Sequence, residues 1–336
     1  MELICRAGES CDDVMHFVDE WKSDSPYMQA HTSGSTGTPK EIELLKSDMI
    51  TSAKMTCEFL NISGSGLMAL VLSPGYIAGK MMIVRSMVTD SALWVEKPSN
   101  RPLLNYNLTD DIDLLAVVPS QLDYLLSDEV VRKVKNLLIG GSPLSAEMES
   151  RLMASGVNGY VTYGMTETCS HVALRRLGEE FYSALPGVRF GLDSRGCLTI
   201  ECPHLSIGSV VTNDVVELRD DTHFRWLGRY DNVINSGGIK LFPEEIETRI
   251  SRIVGDLSYY LCSRNSKRWG EELVMVVEGS RNLQRLYESL SADLEAIMLP
   301  KAIISVGELP RTFSGKIKRL SPESLNNLID SYEPSK

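Results

Sequence analysis

Short apolar runs alternate with amphipathic segments through the first half of this chain, and this alternation restricts the fold more than any other feature. The runs at 67–72 (Leu-Met-Ala-Leu-Val-Leu), 91–95, 114–118, 136–139 and 159–163 read as strands apolar on both faces. Such strands need cover above and below, which a parallel sheet with helical crossovers supplies. Helices are expected at 76–89, 120–134 and 144–154. Another is expected at 12–22, where Val14, Phe17, Val18 and Trp21 recur at helical spacing behind Asp12-Asp13. A strand at 27–31 precedes a helix capped near Ser47 and Asp48. Residues 186–227 carry short strands between Gly, Asp and Asn turns and suggest a small β-rich subdomain. From about 232 a separate unit begins, with helices at 243–254 and 282–297 and strands near 257–262, 272–278 and 302–306. The expected fold is α/β: a large N-terminal domain, 1–230, with a mainly parallel sheet plus the β-rich subdomain, and a small α+β C-terminal domain, 231–336.

Ligands of such sheets bind at the carboxyl ends of the strands. Gly34, Gly140-Gly141 and Gly164 each follow an expected strand, so they can line one crevice. The stretch His31-Thr32-Ser33-Gly34-Ser35-Thr36-Gly37-Thr38-Pro39-Lys40 is too rich in hydroxyls and glycine for a packed strand. It offers backbone N–H and hydroxyl donors, which suits a polyphosphate. It is not a Walker A loop, because its lysine follows a proline instead of a glycine. By letters, Gly64-Ser65-Gly66-Leu67-Met68-Ala69 fits a dinucleotide fingerprint, but it precedes a strand and reads as a turn.

Four more constellations follow in order. Tyr163-Gly164-Met165-Thr166-Glu167-Thr168 combines a strand-end aromatic that can stack on a purine, a hydroxyl, and one hard carboxylate of the kind Mg²⁺ takes beside phosphate. Thr212-Asn213-Asp214 places an aspartate where it can accept from ribose hydroxyls. Gly228-Arg229-Tyr230-Asp231 runs on to Gly237-Gly238-Ile239-Lys240 and a helix opened at Pro243. Pro310 to Arg319 holds Lys316 on a Gly-hinged loop, with Arg311, Lys318 and Arg319 read as a solvated basic face.

Together these motifs resemble the adenylate-forming superfamily of acyl-CoA synthetases, luciferases and peptide-synthetase adenylation domains, across roughly residues 27–320. The resemblance implies that Thr32, Ser33, Gly34, Ser35, Thr36, Gly37 and Lys40 hold ATP phosphates. Gly140, Gly141, Tyr163, Gly164, Asp214 and Arg229 would complete the ATP site, and Thr166 and Glu167 would act at the reacting phosphate, Glu167 holding Mg²⁺. Lys316 would be the adenylation lysine, Asp231 the hinge of a mobile C-terminal lid, and Gly237, Gly238 and Lys240 the CoA contacts. Asn213 departs from the family's usual glycine. The superfamily usually carries a further subdomain ahead of the phosphate loop, whereas about thirty residues precede it here.

Tyr76-Ile77-Ala78-Gly79-Lys80 through Arg85-Ser86 resembles the o-succinylbenzoate–CoA ligase branch, the menaquinone-pathway members. The resemblance implies an ATP-dependent acid–CoA ligase that adenylates a carboxylate and then forms the thioester. Tyr76, Gly79 and Arg85 would contact the acid. An arginine in an apolar helix needs a partner. That partner can be the second carboxylate of a dicarboxylic substrate, a protein carboxylate, or solvent reached by snorkelling. A ligase for another acid and a non-catalytic nucleotide-binding homologue remain alternatives.

Composition bounds the partners. A net charge of −11 over 336 residues, without a basic block, argues against nucleic acid and anionic membranes. The start shows no signal-peptide pattern and no apolar run reaches spanning length, so no membrane insertion and a cytoplasmic setting are expected. Seven scattered cysteines, none in Cys-x-x-Cys, read as reduced thiols. The expected partners are a small carboxylic acid, ATP and CoA; a homo-oligomer is left open.

Overall fold

In the computed structural model, described over residues 1–5, 11–31, 41–104, 106–107, 109–255, 257–311 and 317–334, the apolar strands form one sheet. The chain runs β1 (Leu3–Cys5), α1 (Asp12–Lys22), β2 (Tyr27–His31), β3 (Glu41–Leu45), α2 (Lys46–Phe59), β4 (Leu67–Leu70), α3 (Ile77–Thr89), β5 (Ala92–Val95) and β6 (Leu114–Val117). It continues with α4 (Leu122–Ser127), β7 (Leu137–Ile139), α5 (Ala146–Ser155), β8 (Gly159–Gly164), β9 (His171–Arg176) and β10 (Tyr182–Ala184). β11 (Arg189–Leu192), β12 (Cys197–Cys202), β13 (Gly208–Asp220) and β14 (His223–Arg229) complete this part. Twelve of these fourteen strands hydrogen-bond in the order β1-β5-β4-β6-β7-β8-β9-β10-β14-β13-β12-β11, while β2 and β3 pair with each other.

Pairing is parallel from β1 to β8 and antiparallel from the β8–β9 pair onward. The turn-dense stretch is therefore the antiparallel half of the same sheet. Alternation within each strand sorts side chains to two cores. Met68 and Leu70 of β4 face Phe17, Met49 and Met82 of α1, α2 and α3, while Leu67 and Ala69 face Leu122, Leu125 and Leu152 of α4 and α5. Burial on both sides is the reason these strands are apolar throughout.

Beyond Arg229 the chain builds a second sheet from β15 (Ile234–Ser236), β16 (Ile239–Leu241), α6 (Pro243–Val254), β17 (Tyr259–Ser266), β18 (Gly270–Glu278), α7 (Leu283–Ser291), β19 (Ala302–Val306) and β20 (Leu328–Tyr332). Its order is β16-β15-β18-β19-β20, with β17 also on β18, and α6 and α7 pack into its core.

Several expectations are corrected. The helix expected over 120–134 is broken, because Asp128 is extended and its carboxylate accepts from the Val130 N–H at 3.1 Å. The helix expected at 282–297 ends at Ser291. β3 is an added strand, pairing β2 antiparallel with Tyr27 opposite Leu45 and His31 opposite Glu41. Cys5 and Cys11 are joined in a disulfide and are not reduced thiols; their Cα atoms come within 6.0 Å where β1 ends and α1 begins. Cys57, Cys169, Cys197, Cys202 and Cys262 are free and buried. Arg319 is no solvated face, since its guanidinium is largely buried against Glu247 and Glu244. Arg311 lies 3.6 Å from Glu278. Among the described residues, no helix is long and apolar enough to cross a membrane.

Candidate active site

A cavity of about 980 Å³ opens at the carboxyl ends of β6, β7 and β8, a size that suits a nucleotide-sized or larger small molecule. α3 walls one end, β13 and β14 the other, and α6 reaches in from the second sheet with Glu245, Thr248 and Arg249. Two glycine positions let the walls close up. A Cβ on Gly140, which follows β7, would lie 2.5 Å from the Thr162 hydroxyl, and one on Gly164 would lie 2.3 Å from the backbone of His171. Gly141 also lines the cavity and holds φ at +88°, a left-handed conformation suited to glycine.

The β13–β14 end is built around Asp214. β13 sets it directly opposite Arg229 of β14. Its carboxylate accepts from the Tyr163 hydroxyl at 2.7 Å and the Trp226 indole N–H at 3.2 Å, while its own N–H donates to Thr212 Oγ1 at 3.0 Å. Arg229 stands 3.6 Å from Asp214 and 3.6 Å from Asp231. Burial, with the Asp214 charge beside it, drives the Tyr163 phenol far above its ordinary range, so it stays a donor. The Tyr163 ring packs edge-on against Phe224 at 4.9 Å and Tyr182 at 5.8 Å. Asn213, in place of glycine, accepts from Arg195 at 2.8 Å. Tyr163, Asp214 and Arg229 are thus brought together. Thr166 lines the cavity on a short 3-10 turn, Thr166–Thr168, and the neighbouring Glu167 is exposed.

The α3 end centres on Arg85. Ile77, Met81 and Arg85, four residues apart, form one stripe facing the cavity. Arg85 is only 2% exposed. Its guanidinium donates to Ser170 Oγ at 2.8 Å and makes a 3.8 Å contact with Met82 Sδ, while Nε has no partner. No described carboxylate pairs with it. Burial pushes its pKa down to about 10, so it remains charged at neutral pH. His171 stands beside it, Nε2 3.0 Å from Thr56 Oγ1 and Nδ1 3.4 Å from Ser170 Oγ. Thr56 donates to the Ser52 carbonyl at 3.1 Å, so the network assigns the ring proton to Nε2. Desolvation, then the Arg85 charge, hold His171 well below its usual value, hence neutral.

Other expected contacts lie elsewhere. Tyr76 is 62% exposed and off the cavity wall, because it precedes the first turn of α3. Gly79 is not on the wall either; a Cβ there would sit 2.2 Å from the Ser73 carbonyl oxygen, so helix packing explains it. Gly237 and Gly238, at φ +59° and +85°, form the two-residue turn between β15 and β16, a geometry that favours glycine at both positions. With exposed Lys240 they lie outside the cavity lining. Asp231 lies in the turn Tyr230–Asn232 between the two sheets. The expected sites at 32–40, and Lys316, lie outside the described residues.

Sequence reasoning missed Ser170, His171 and Thr56. The signal was faint: Ser170-His171 lies just beyond the Tyr163–Thr168 motif, separated from it by Cys169.

For Mg²⁺, no group of three or more candidate ligands gathers among the described residues. A phosphate-bound Mg²⁺ needs only one or two carboxylates, and exposed Glu167 beside the Thr166 hydroxyl fits that demand.

Residues 6–223 match the model of the AMP-binding enzyme family. The 2-succinylbenzoate–CoA ligase of Lactococcus lactis is 24% identical over 310 residues, covering 86% of this chain and 69% of that protein. Among solved structures, an acyl-CoA synthetase (AMP-forming)/AMP-acid ligase II-like protein from Dyadobacter fermentans is 33% identical, with TM-score 0.64 and coverage of 94% of this chain and 93% of that one. The o-succinylbenzoate CoA synthetase of Bacillus subtilis, in complex with its acyl-adenylate intermediate, superposes with TM-score 0.78 at 18% identity, covering 97% and 79%. The chain belongs to the AMP-binding enzyme family.

Proposed function

We propose that this chain is an ATP-dependent, AMP-forming acid–CoA ligase acting on o-succinylbenzoate in the cytoplasm. One observation carries the choice of acid: Arg85 is a buried cation on the cavity wall with no described carboxylate partner. A dicarboxylic acid completes it, one carboxylate held by the guanidinium and the other free to react. Ser170, itself 3.4 Å from the neutral His171 ring, holds that guanidinium without competing for the acid's charge.

In the first half-reaction the free carboxylate oxygen bonds to the α-phosphorus of ATP, the bond to the β-phosphate bridging oxygen breaks, and pyrophosphate leaves. Asp214 and Arg229 orient the ribose, with Tyr163 beside the base, and Thr32 to Lys40 hold the phosphates. Lys316 stabilises charge on the α-phosphate. Glu167 would hold Mg²⁺, which supplies charge neutralisation at the phosphates. The second sheet then turns about Asp231, and Gly237, Gly238 and Lys240 meet CoA. The thiol sulfur bonds to the acyl carbon, AMP leaves and the thiol proton is released. Dividing the reaction through an activated acyl group replaces one high barrier by two lower ones.

A CoA-coupled assay with a panel of acids tests this reading. Thioester formation with o-succinylbenzoate and not with benzoate is the expected result; turnover with other acids alone removes the choice of acid. The Dyadobacter relative, matched along nearly its whole length, favours as second reading an acyl-CoA ligase for another acid. Lys316→Ala should abolish acid-dependent pyrophosphate exchange while sparing thioester formation from preformed acyl-adenylate.

A further inference from the structure

The turn between the two sheets is held differently on its two sides. Asp231 belongs to the large sheet: it accepts from Asn213 of β13 at 3.4 Å and lies 3.6 Å from Arg229. The next residue, Asn232, belongs to the second sheet's unit, because its amide donates to Glu244 in the first turn of α6. Glu244 is buried and fits against Gly228, where a Cβ would come within 2.5 Å of its Oε2. That oxygen has no hydrogen-bond partner. The charge it keeps from water is met by Arg319 Nε at 3.6 Å.

Arg319 in turn is fixed one helical turn along α6. It donates to Glu247 Oε2 at 2.7 Å and to the Leu261 carbonyl at 2.9 Å, while Glu247 accepts from the Leu261 N–H at 2.6 Å. Arg319 closes the stretch that starts at Pro310. Arg311 and Ile317 form a bridge at its base, and the Lys318 N–H donates to the Pro310 carbonyl at 2.7 Å.

We propose that Glu244 and Arg319 are positioning residues that lock Asn232, the first turn of α6 and the base of the 310–319 stretch into one rigid piece. The swivel is thereby confined to the linkage between Asp231 and Asn232, and the unit turns without losing the register between hinge and loop base. This rests on the two-step reading above. Its consequence is selective: adenylation, which uses Lys316, depends on the lock, and transfer to CoA does not.

The test uses the full chain. In Arg319→Met the turnover rate of acid-dependent pyrophosphate exchange should fall at least about ten-fold. KM for ATP and acid, and thioester formation from preformed acyl-adenylate, should stay within about two-fold. Arg319→Lys keeps the charge without the fork and should recover part of the loss. Equal losses in both half-reactions, or none, overturn the proposal. Amide exchange needs no activity: Arg319→Met should speed exchange at Leu261 and Lys318, and the near-isosteric Glu244→Gln at Val233, whose N–H donates to the Tyr230 carbonyl at 3.3 Å and closes the turn that Asn232 anchors, with β4, β6 and β7 unchanged. Unaltered exchange at all three amides overturns the lock. Faster exchange in a chain whose wild type forms no acyl-adenylate keeps the lock and refutes the ligase reading.

Discussion

Arg85 and Arg319 are both guanidinium groups largely withdrawn from water, and they are held in opposite ways. Arg319 lies between two carboxylates and a carbonyl, so its charge is answered within the protein. Arg85 has a serine hydroxyl, a thioether and one N–H with no partner. A buried cation with protein carboxylates is architecture. One without them leaves a desolvation cost standing, which an incoming anion can relieve. Charge and residue type do not separate the two cases; the neighbours do.

The strongest way to break this comparison is Arg85→Met. Loss of a buried charge-assisted contact should lower kcat/KM for o-succinylbenzoate about 100- to 1000-fold, on the order of 3–4 kcal/mol, with KM for ATP little changed. The unfolding free energy should stay the same or rise, because an unanswered buried charge is removed. A clear loss of stability with unchanged acid kinetics would make Arg85 architectural, like Arg319.

Gly79→Ala probes the packed face of the same helix. A methyl group 2.2 Å from the Ser73 carbonyl forces α3 to shift, so denaturant unfolding should show a loss of about 1–3 kcal/mol. Relative preference among acids should not change; a changed preference would return Gly79 to the substrate wall.

His171 sharpens the electrostatic side. Its folded pKa lies below its ordinary 6.5, so the unfolded chain binds the extra proton. Its contribution is therefore present above about pH 6.5 and is lost as pH falls through it, by at most about 1.4 kcal/mol per pH unit. Unfolding measured from pH 7.5 to 5 should show this slope, reduced by one proton in His171→Asn. An unchanged slope would mean that the imidazole binds its proton equally in the folded and unfolded chain.

The smallest effect belongs to Tyr76→Ala. An exposed side chain off the cavity wall should change stability by less than about 0.5 kcal/mol and acid kinetics by less than two-fold.

Much of this was legible in the residues. Fully apolar strands separated by amphipathic stretches specify a covered parallel sheet, because backbone period and burial are local consequences of composition. Tyr163, Asp214 and Arg229 were expected together from motif order, and the sheet brings them together. Side-chain assignments on α3 were less legible. Tyr76, Gly79 and Arg85 share one segment, yet only Arg85 lies on the stripe facing the cavity. Arg319 looked like its basic neighbours, since nothing in a run of charges marks which one will meet Glu244 and Glu247.

The sequence alone therefore determined the α/β class, the order of the motifs and the candidate chemistry, since these depend on periodicity and residue type near each other in the chain. Tertiary structure decided which charge is answered and which is left open. Partners such as Ser170 for Arg85 and Glu244 for Arg319 come from distant parts of the chain, and the free energy of a buried charge depends on what surrounds it in space.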